Sequence, residues 1–155
     1  MIVEMDLEPI PEQLDPRASL PESVSRCLAY LRDACAAGLS LERLSALAGV
    51  SAKQLSRDFR SALGLRPMEV LLMARIDRSL VLLESTTLPV AEVAAASGFR
   101  GAPHYFKVFW FAFSMAPLDY RDAVARGQRP SMRSSALQGL RAQHVLGRLR
   151  LRASA

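Results

Sequence analysis

Two short helical patterns joined by a glycine lie within Leu39–Gly64 and restrict the possible folds more than any other part of the sequence. The first pattern has a serine that can cap a helix, followed by one apolar stripe: Ser40, then Leu41, Leu44 and Ala48. Gly49 follows where the chain must turn, because glycine adopts a left-handed backbone conformation without steric cost. In the second pattern, Leu55, Phe59 and Leu63 recur every fourth residue and predict a buried face. We therefore predict two short helices joined by a tight turn.

The second predicted helix has a polar, basic face opposite its apolar one. The residues expected to point outward are Lys53, Ser56, Arg57 and Arg60. Ser51 and Gln54 have the spacing of a capping box, in which each side chain bonds the backbone N–H of the other residue. Two helices with a glycine-containing turn, the second presenting a basic face, form a helix-turn-helix, whose second helix enters the major groove of DNA.

The same pattern returns about fifty residues later in the chain. Val90–Phe99 repeats the first helix and the turn, with Gly98 in the place of Gly49, and one extra residue then enters. The later matches are Tyr105 with Leu55, Lys107 with Arg57, Phe109 with Phe59, Phe113 with Leu63 and Pro117 with Pro67. A single match is a weak signal, since many helical hairpins contain such a glycine, but two matches in register make coincidence a poor explanation.

A long helix is predicted between the repeats, from about Pro67 to Ser85. One face of it is apolar: Leu72, Ile76, Leu80 and Leu83. Such a helix would be roughly 28 Å long, and one turn of B-DNA is roughly 34 Å. The connector therefore has a suitable scale to hold two recognition helices about one groove repeat apart. A first helix is predicted from Glu22, with Gly38 ending it, and a last helix from Pro117 to about Arg126.

The paired units, the intervening RIDRSLVLL of Arg75–Leu83, and Gly98-Phe99 followed by HYFKVF and APLDYR resemble the AraC/XylS family of bacterial transcription regulators. The resemblance covers roughly residues 24–126. It implies an all-α fold of about seven helices, in which two homeodomain-like helix-turn-helix subdomains are joined by a long connector helix. It also implies that two recognition helices enter successive major-groove segments on one face of the duplex.

We divide the chain on this basis into three parts. They are a flexible acidic arm (1–20), an AraC-type DNA-binding domain (21–126, with units at about 40–64 and 89–114 and a connector at about 67–85), and a flexible Arg-rich tail (127–155). Residues 1–39 carry a net charge of −4, residues 40–123 carry +2, and residues 126–155 hold seven arginines and no acid. The tail is either a phosphate-binding arm or a disordered, solubilising extension. The chain itself is a stand-alone binder, the DNA-binding end of a longer protein or a truncated product.

The resemblance assigns base reading in the first unit to Lys53, Ser56 and Arg57. Arg57 is the strongest candidate, because arginine can pair with guanine through two hydrogen bonds worth roughly 1–3 kcal/mol of discrimination. Arg60 is expected to meet phosphate instead. In the second unit the candidates are Arg100, His104 and Lys107. The alternative for each of these residues is an ordinary solvated helix face.

The second unit departs from the family pattern. Trp110 and Phe111 stand where basic residues are usual, Ser114 where glycine is usual, and Phe106 where a small polar residue is usual. Phe106 and Trp110 lie one helical turn apart and form an apolar pair that we call the aromatic strip. We expect it to be covered or to bind a protein partner, rather than to read DNA directly. A position beneath the tail is one way in which it would be covered, and the alternatives are contact with thymine methyl groups or a unit that no longer reads DNA.

Other classes of function lack the residues they need. The two histidines have no carboxylate pattern for a catalytic triad or dyad, no His/Cys set has zinc spacing, and no glycine-rich phosphate loop follows a strand. We therefore expect no catalysis, metal, cofactor or small-molecule site. Cys27 and Cys35 lie eight residues apart on one predicted helix, too far for a disulfide, and indicate reduced thiols in a cytoplasm.

The expected partners are double-stranded DNA, RNA polymerase and a protein at the aromatic strip. No signal peptide or membrane span is evident in the sequence. The rival hypothesis is a degenerate family member that acts as a helical protein-interaction module or antagonist through that strip.

Overall fold

The computed structural model describes residues 20–33 and 38–132 of the 155. Seven α-helices and no strand occur in these residues, which confirms the predicted all-α fold. The helices are α1 (Glu22–Asp33), α2 (Leu41–Ala48), α3 (Ala52–Leu63), α4 (Pro67–Ser85), α5 (Val90–Ala96), α6 (Ala102–Phe113) and α7 (Pro117–Ala125). The acidic arm before Leu20, Cys35 and the Arg-rich tail after Met132 lie outside the described residues. None of the described helices combines the length and the apolar character needed to cross a bilayer.

Two hydrophobic cores share the long helix α4. The first core joins α1, α2 and α3 to the beginning of α4, where Val70 and Leu71 are buried. The second core joins the rest of α4 to α5, α6 and α7, and Ile76 and Leu83 are buried in it. The apolar face predicted for the connector therefore packs on the second unit. The residues of α4 that pack on the first unit, Val70 and Leu71, lie outside that predicted face.

The first helix-turn-helix has the caps that its sequence predicts. The Ser40 hydroxyl accepts a hydrogen bond from the Arg43 backbone N–H at 3.3 Å. Gly49 ends α2 in the left-handed conformation, with φ of 71°, and Gly98 has φ of 88° at the matching turn. Both glycines thus occupy the conformation for which the sequence requires them.

The capping box predicted at the start of α3 is half correct. The Ser51 hydroxyl accepts from the Gln54 backbone N–H at 3.1 Å, as expected. The Gln54 side chain does not reach back to Ser51, and its Nε2 donates to Asp58 Oδ1 at 2.7 Å instead. The prediction for Gln54 was wrong because a carboxylate one turn further along the helix competes for the amide as a charged acceptor.

Candidate nucleic-acid interface

Helix α3 presents an exposed basic face above a buried apolar one. Leu55 and Phe59 are fully buried in the first core. On the opposite side Lys53, Arg57 and Arg60 are exposed and Ser56 is half-buried, so all four residues named from the sequence lie where a partner can approach. Among the residues that the structure describes, none of the three cations forms an ion pair. Their charges remain free to meet phosphate or base edges.

The single acid of α3 is turned away from this face. Asp58 Oδ2 accepts from the Ser23 hydroxyl of α1 at 2.6 Å, and Asp58 Oδ1 accepts from Gln54. Both carboxylate oxygens are therefore engaged, and one of them ties α3 to α1. This tether fixes the recognition helix on its unit and keeps a negative charge out of the basic face. Sequence reasoning missed it because residues 23 and 58 are brought together only by the fold.

Helix α6 repeats α3 in length and register. Each helix has 12 residues, and the extra residue of the second unit enters between Gly98 and Ala102, at or beside Arg100. Arg100, His104 and Lys107 are all exposed, as predicted. The His104 ring lies edge-on to the Phe99 ring, with centroids 5.7 Å apart, so His104 is held at the start of the helix.

The aromatic strip lies open on α6. Phe106 is 39% exposed and Trp110 is 57% exposed. The strip is expected from the sequence to be covered or to bind a protein partner, and no element within residues 20–33 and 38–132 covers it. Phe111 is 61% exposed on the same helix, but successive positions at 100° per residue place it outside the strip. The outward face of α6 is therefore largely apolar, with Lys107 as its single cation.

Packing of aromatic rings holds α6 in place. The Tyr105 ring lies 4.9 Å from Phe99 and 5.6 Å from Phe109, measured between centroids. Burial raises the pKa of the Tyr105 hydroxyl to about 12, although the nearby Ser79 hydroxyl and the Arg121 charge favour ionisation slightly. That hydroxyl meets no hydrogen-bond partner of good geometry among the described residues. Tyr105 thus contributes packing at the cost of a buried polar atom.

Two arginines that the sequence did not single out anchor the second unit. Arg78 of α4 donates from Nε to the Ala96 carbonyl at the end of α5, at 2.8 Å. Arg121 of α7 donates to the carbonyls of Leu83, at 3.2 Å, and Leu88, at 2.7 Å. Ala96 and Leu83 lie in the last turns of α5 and α4, where a cation suits the unpaired carbonyls, and Leu88 lies in the loop between α4 and α5. No local sequence signal reveals these bonds, since each joins residues at least 18 positions apart.

The part of the chain that the structure describes holds neither a metal-binding cluster nor an exposed thiol. Within the described residues no group of three or more His, Cys, Asp or Glu side chains is placed to hold a metal ion. Cys27 is a buried free thiol, and its Sγ lies 3.5 Å from the Leu44 carbonyl. Burial raises the pKa of this thiol to about 11, which keeps it protonated at neutral pH.

Comparison with known proteins identifies this arrangement. A helix-turn-helix domain family matches residues 44–123, which include both turns and both recognition helices. The chain belongs to the AraC/XylS family of transcription regulators. This family comprises bacterial DNA-binding regulators rather than enzymes. The resemblance inferred from the sequence is therefore confirmed.

Curated relatives are similar over the same region. The chain is 33% identical over 90 residues to the regulator GbdR of Pseudomonas aeruginosa, covering 58% of this chain and 24% of GbdR. It is 24% identical over 108 residues to the xylose operon regulatory protein of Escherichia coli K12, covering 70% of this chain and 28% of that protein. The chain thus spans about a quarter of the length of these AraC/XylS relatives.

Solved structures show the same fold. The C-terminal domain of AraT, a response regulator from Geobacillus stearothermophilus, superposes with a TM-score of 0.64 at 28% identity, covering 74% of this chain and 92% of that domain. The DNA-binding domain of the transcription factor AdpA, in complex with a target DNA, superposes with a TM-score of 0.58 at 30% identity, covering 69% of this chain and 95% of that domain. Both are AraC-type DNA-binding domains of the all-α class.

Proposed function

We propose that this AraC-type chain binds promoter DNA in a sequence-specific manner, with α3 and α6 in two successive segments of the major groove. The observation that carries the proposal is the face of α3, where Lys53, Arg57 and Arg60 are exposed above a fully buried apolar side. A cationic helix face of this kind can pair with phosphates and with the acceptor edge of guanine. The AdpA domain, which has the same fold, was solved with its target DNA.

The connector supports the use of both helices. Helix α4 has 19 residues and is therefore roughly 28 Å long, near the roughly 34 Å between successive exposures of the major groove on one side of B-DNA. Because α4 contributes to both cores, it links the two recognition helices through packed side chains rather than through a loop. We infer that the protein reads two half-sites about one helical turn apart.

The roles of the individual side chains follow from chemistry and position. Arg57 is proposed to contact a base, Lys53 and Ser56 to flank it, and Arg60 to bind phosphate. In the second unit Arg100 and His104 are proposed to approach the DNA backbone or a base edge near the start of α6. Lys107 occupies the position equivalent to Arg57 and supplies a cation at the centre of the α6 face.

The biological role is inferred from this mode of binding. A protein bound at a promoter regulates transcription by assisting or obstructing RNA polymerase, so we propose RNA polymerase as a further partner. The place of action is then the bacterial cytoplasm, where promoter DNA lies. No catalytic step is proposed for the chain, since regulation of this kind requires binding alone.

The test is selection of genomic fragments with the purified full chain, followed by footprinting and a salt titration of the enriched sites. Two protected elements about one helical turn apart are expected, with affinity that falls as salt rises because phosphate contacts release counterions. A single short element would restrict reading to α3. Retention that does not discriminate between fragments would overturn sequence-specific binding.

A further inference from the structure

We propose that Phe106 and Trp110 on α6 select thymine in the second half-site, through contact with the C5-methyl groups in the major groove. This inference rests on the proposed function, since it requires α6 to lie in the groove. It adds to that function the class of base that the second unit prefers.

The aromatic strip lies on the reading face of its helix. The equal lengths of α3 and α6 place Phe106 at the position of Ser56 and Trp110 at the position of Arg60. Those two α3 residues belong to the face proposed to meet DNA. The strip is therefore continuous with the proposed interface rather than located on a remote side of the protein.

The chemistry of the strip favours one base over the other three. The phenyl ring of Phe106 and most of the indole of Trp110 neither donate nor accept hydrogen bonds. In the major groove, guanine and adenine present polar groups, cytosine presents an amino group, and thymine alone presents a methyl group. A ring packed on the polar edges would desolvate them without a partner, whereas a ring on a methyl group buries apolar surface on both sides.

The surroundings of the strip suit DNA. The Phe106 ring lies edge-on to the buried Tyr105 ring, with centroids 6.3 Å apart, so one side of the Phe106 ring faces the core while 39% of the residue stays exposed. Lys107 is exposed next to Phe106 on the helix, Arg100 is exposed in the turn that precedes α6, and α6 contains no Asp or Glu. Cations next to an apolar strip can meet the phosphates that flank the groove while the rings reach its floor.

The experiment removes single methyl groups from the DNA. In a site enriched by the full chain, each thymine of the second half-site is replaced in turn by deoxyuridine, which lacks only the C5-methyl. Binding is expected to weaken about fourfold for each contacted methyl group, from the value of one buried CH₂. The double variant Phe106→Ser, Trp110→Arg introduces at these two positions of α6 the residues that α3 has at Ser56 and Arg60. It is expected to bind thymine and deoxyuridine sites with equal affinity.

Phe111→Ala is the matched control, because Phe111 is an exposed aromatic residue of α6 outside the strip. It is expected to retain the full deoxyuridine effect. If the second half-site is enriched and protected but deoxyuridine changes nothing, thymine selection is wrong while two-helix binding stands. If the effect persists in the double variant, the methyl group acts through DNA shape and the inference is also wrong. If no second half-site is found, reading is restricted to α3, so the two-helix part of the proposed function fails and the thymine inference fails with it.

Discussion

The two helix-turn-helix units share a frame but present different faces. In the first unit α3 exposes Lys53, Arg57 and Arg60, and in the second α6 exposes Lys107 between aromatic side chains. The buried positions nevertheless coincide, since both helices have 12 residues and the same apolar register. The fold of a unit thus depends on the spacing of its buried residues, while the chemistry of its outer face varies independently.

The cores differ as well as the faces. The first core is aliphatic around one phenylalanine, whereas the second is an aromatic cluster in which the Phe109 ring lies 4.8 Å from Phe113 and 5.6 Å from Tyr120. Aromatic pairs of this geometry add about 0.5–1.5 kcal/mol each beyond the area they bury. The second unit, which has the fewer cations, therefore has the more extensive ring packing.

The largest expected effect comes from the two matching core phenylalanines. Phe59→Ala and Phe109→Ala should each lower the free energy of unfolding by about 3–5 kcal/mol, and the loss should be greater for Phe109 because its ring contacts three others. Urea unfolding followed by circular dichroism measures both. Phe111→Ala, at a 61% exposed site, should change stability by less than about 0.5 kcal/mol. Equal losses at the two core positions would show that ring contacts add nothing in the second unit.

The next effect concerns DNA binding by the first unit. Arg57→Ala should weaken specific binding about 10- to 100-fold and relax the preference at one base pair, because a bidentate arginine–guanine pair is lost. Titration on the selected site and on its single-base variants measures affinity and preference together. Unchanged affinity and preference would remove Arg57 from the reading residues.

Lys107→Ala is the matching change in the second unit and should act differently. A lysine that meets phosphate contributes to affinity on every sequence, so the loss of affinity should be the same for all DNA sequences. The number of counterions released on binding, read from the slope of log affinity against log salt concentration, should fall by about one. The same titrations measure it at several salt concentrations. If Lys107→Ala alters nothing, the result removes Lys107 from the interface and supports binding by the first unit alone.

Alkaline pH should reveal a smaller difference between the cores. Burial raises the pKa of Tyr105 from its ordinary 10 to about 12, so the unfolded chain ionises first and stability falls as pH rises from about 10 to 12. The loss is on the order of 1–2 kcal/mol. Tyr105→Phe should remove this contribution and, at neutral pH, should leave stability unchanged or raise it, since the hydroxyl has no good partner. Thermal melting at several pH values is the measurement.

Cys27 provides the comparison within the first core. Its pKa is raised from 9 to about 11 by burial, so its share of the alkaline loss should begin nearer pH 9 and should remain in Tyr105→Phe. If Tyr105→Phe showed no loss of stability at alkaline pH, the role of Cys27 would be contradicted. If the loss of stability above pH 10 were the same in Tyr105→Phe as in the unaltered chain, the role of Tyr105 would be contradicted.

The sequence predicted the elements that depend on local spacing. The stripes of α3 and α4, the caps at Ser40 and Ser51 and the two turn glycines are all encoded within a few residues, because helix periodicity and capping are local properties. The exposed candidate residues followed from the same periodicity. Whether they contact DNA does not follow from it, since exposure is necessary for contact but does not establish it.

Contacts between distant segments were beyond sequence reasoning. The bond from Ser23 to Asp58 and those from Arg121 to the chain around Leu83 require the folded backbone. The prediction for Gln54 failed for a related reason, because two acceptors were within its reach and spacing alone does not rank them. Ser114 combines local and non-local information. The sequence shows a serine where the family usually has glycine, but it does not show that this serine keeps a positive φ.

The smallest effect concerns the residue that ends each recognition helix. Gly64 ends α3 with φ of 68°, and Ser114 ends α6 with φ of 55°, as the single non-glycine residue of positive φ among those described. A side chain in this conformation costs roughly 1–2 kcal/mol, partly offset by the lower entropy of the unfolded chain. Ser114→Gly should therefore stabilise the protein by about 0.5–1 kcal/mol, and Gly64→Ser should destabilise it by a similar amount. Urea unfolding of both variants is the measurement. Stability changes of similar size and opposite sign, as expected, would show that the two helix ends have equivalent backbones despite their different residues. Destabilisation by Ser114→Gly would contradict this and would mean that the Ser114 hydroxyl supports the second unit.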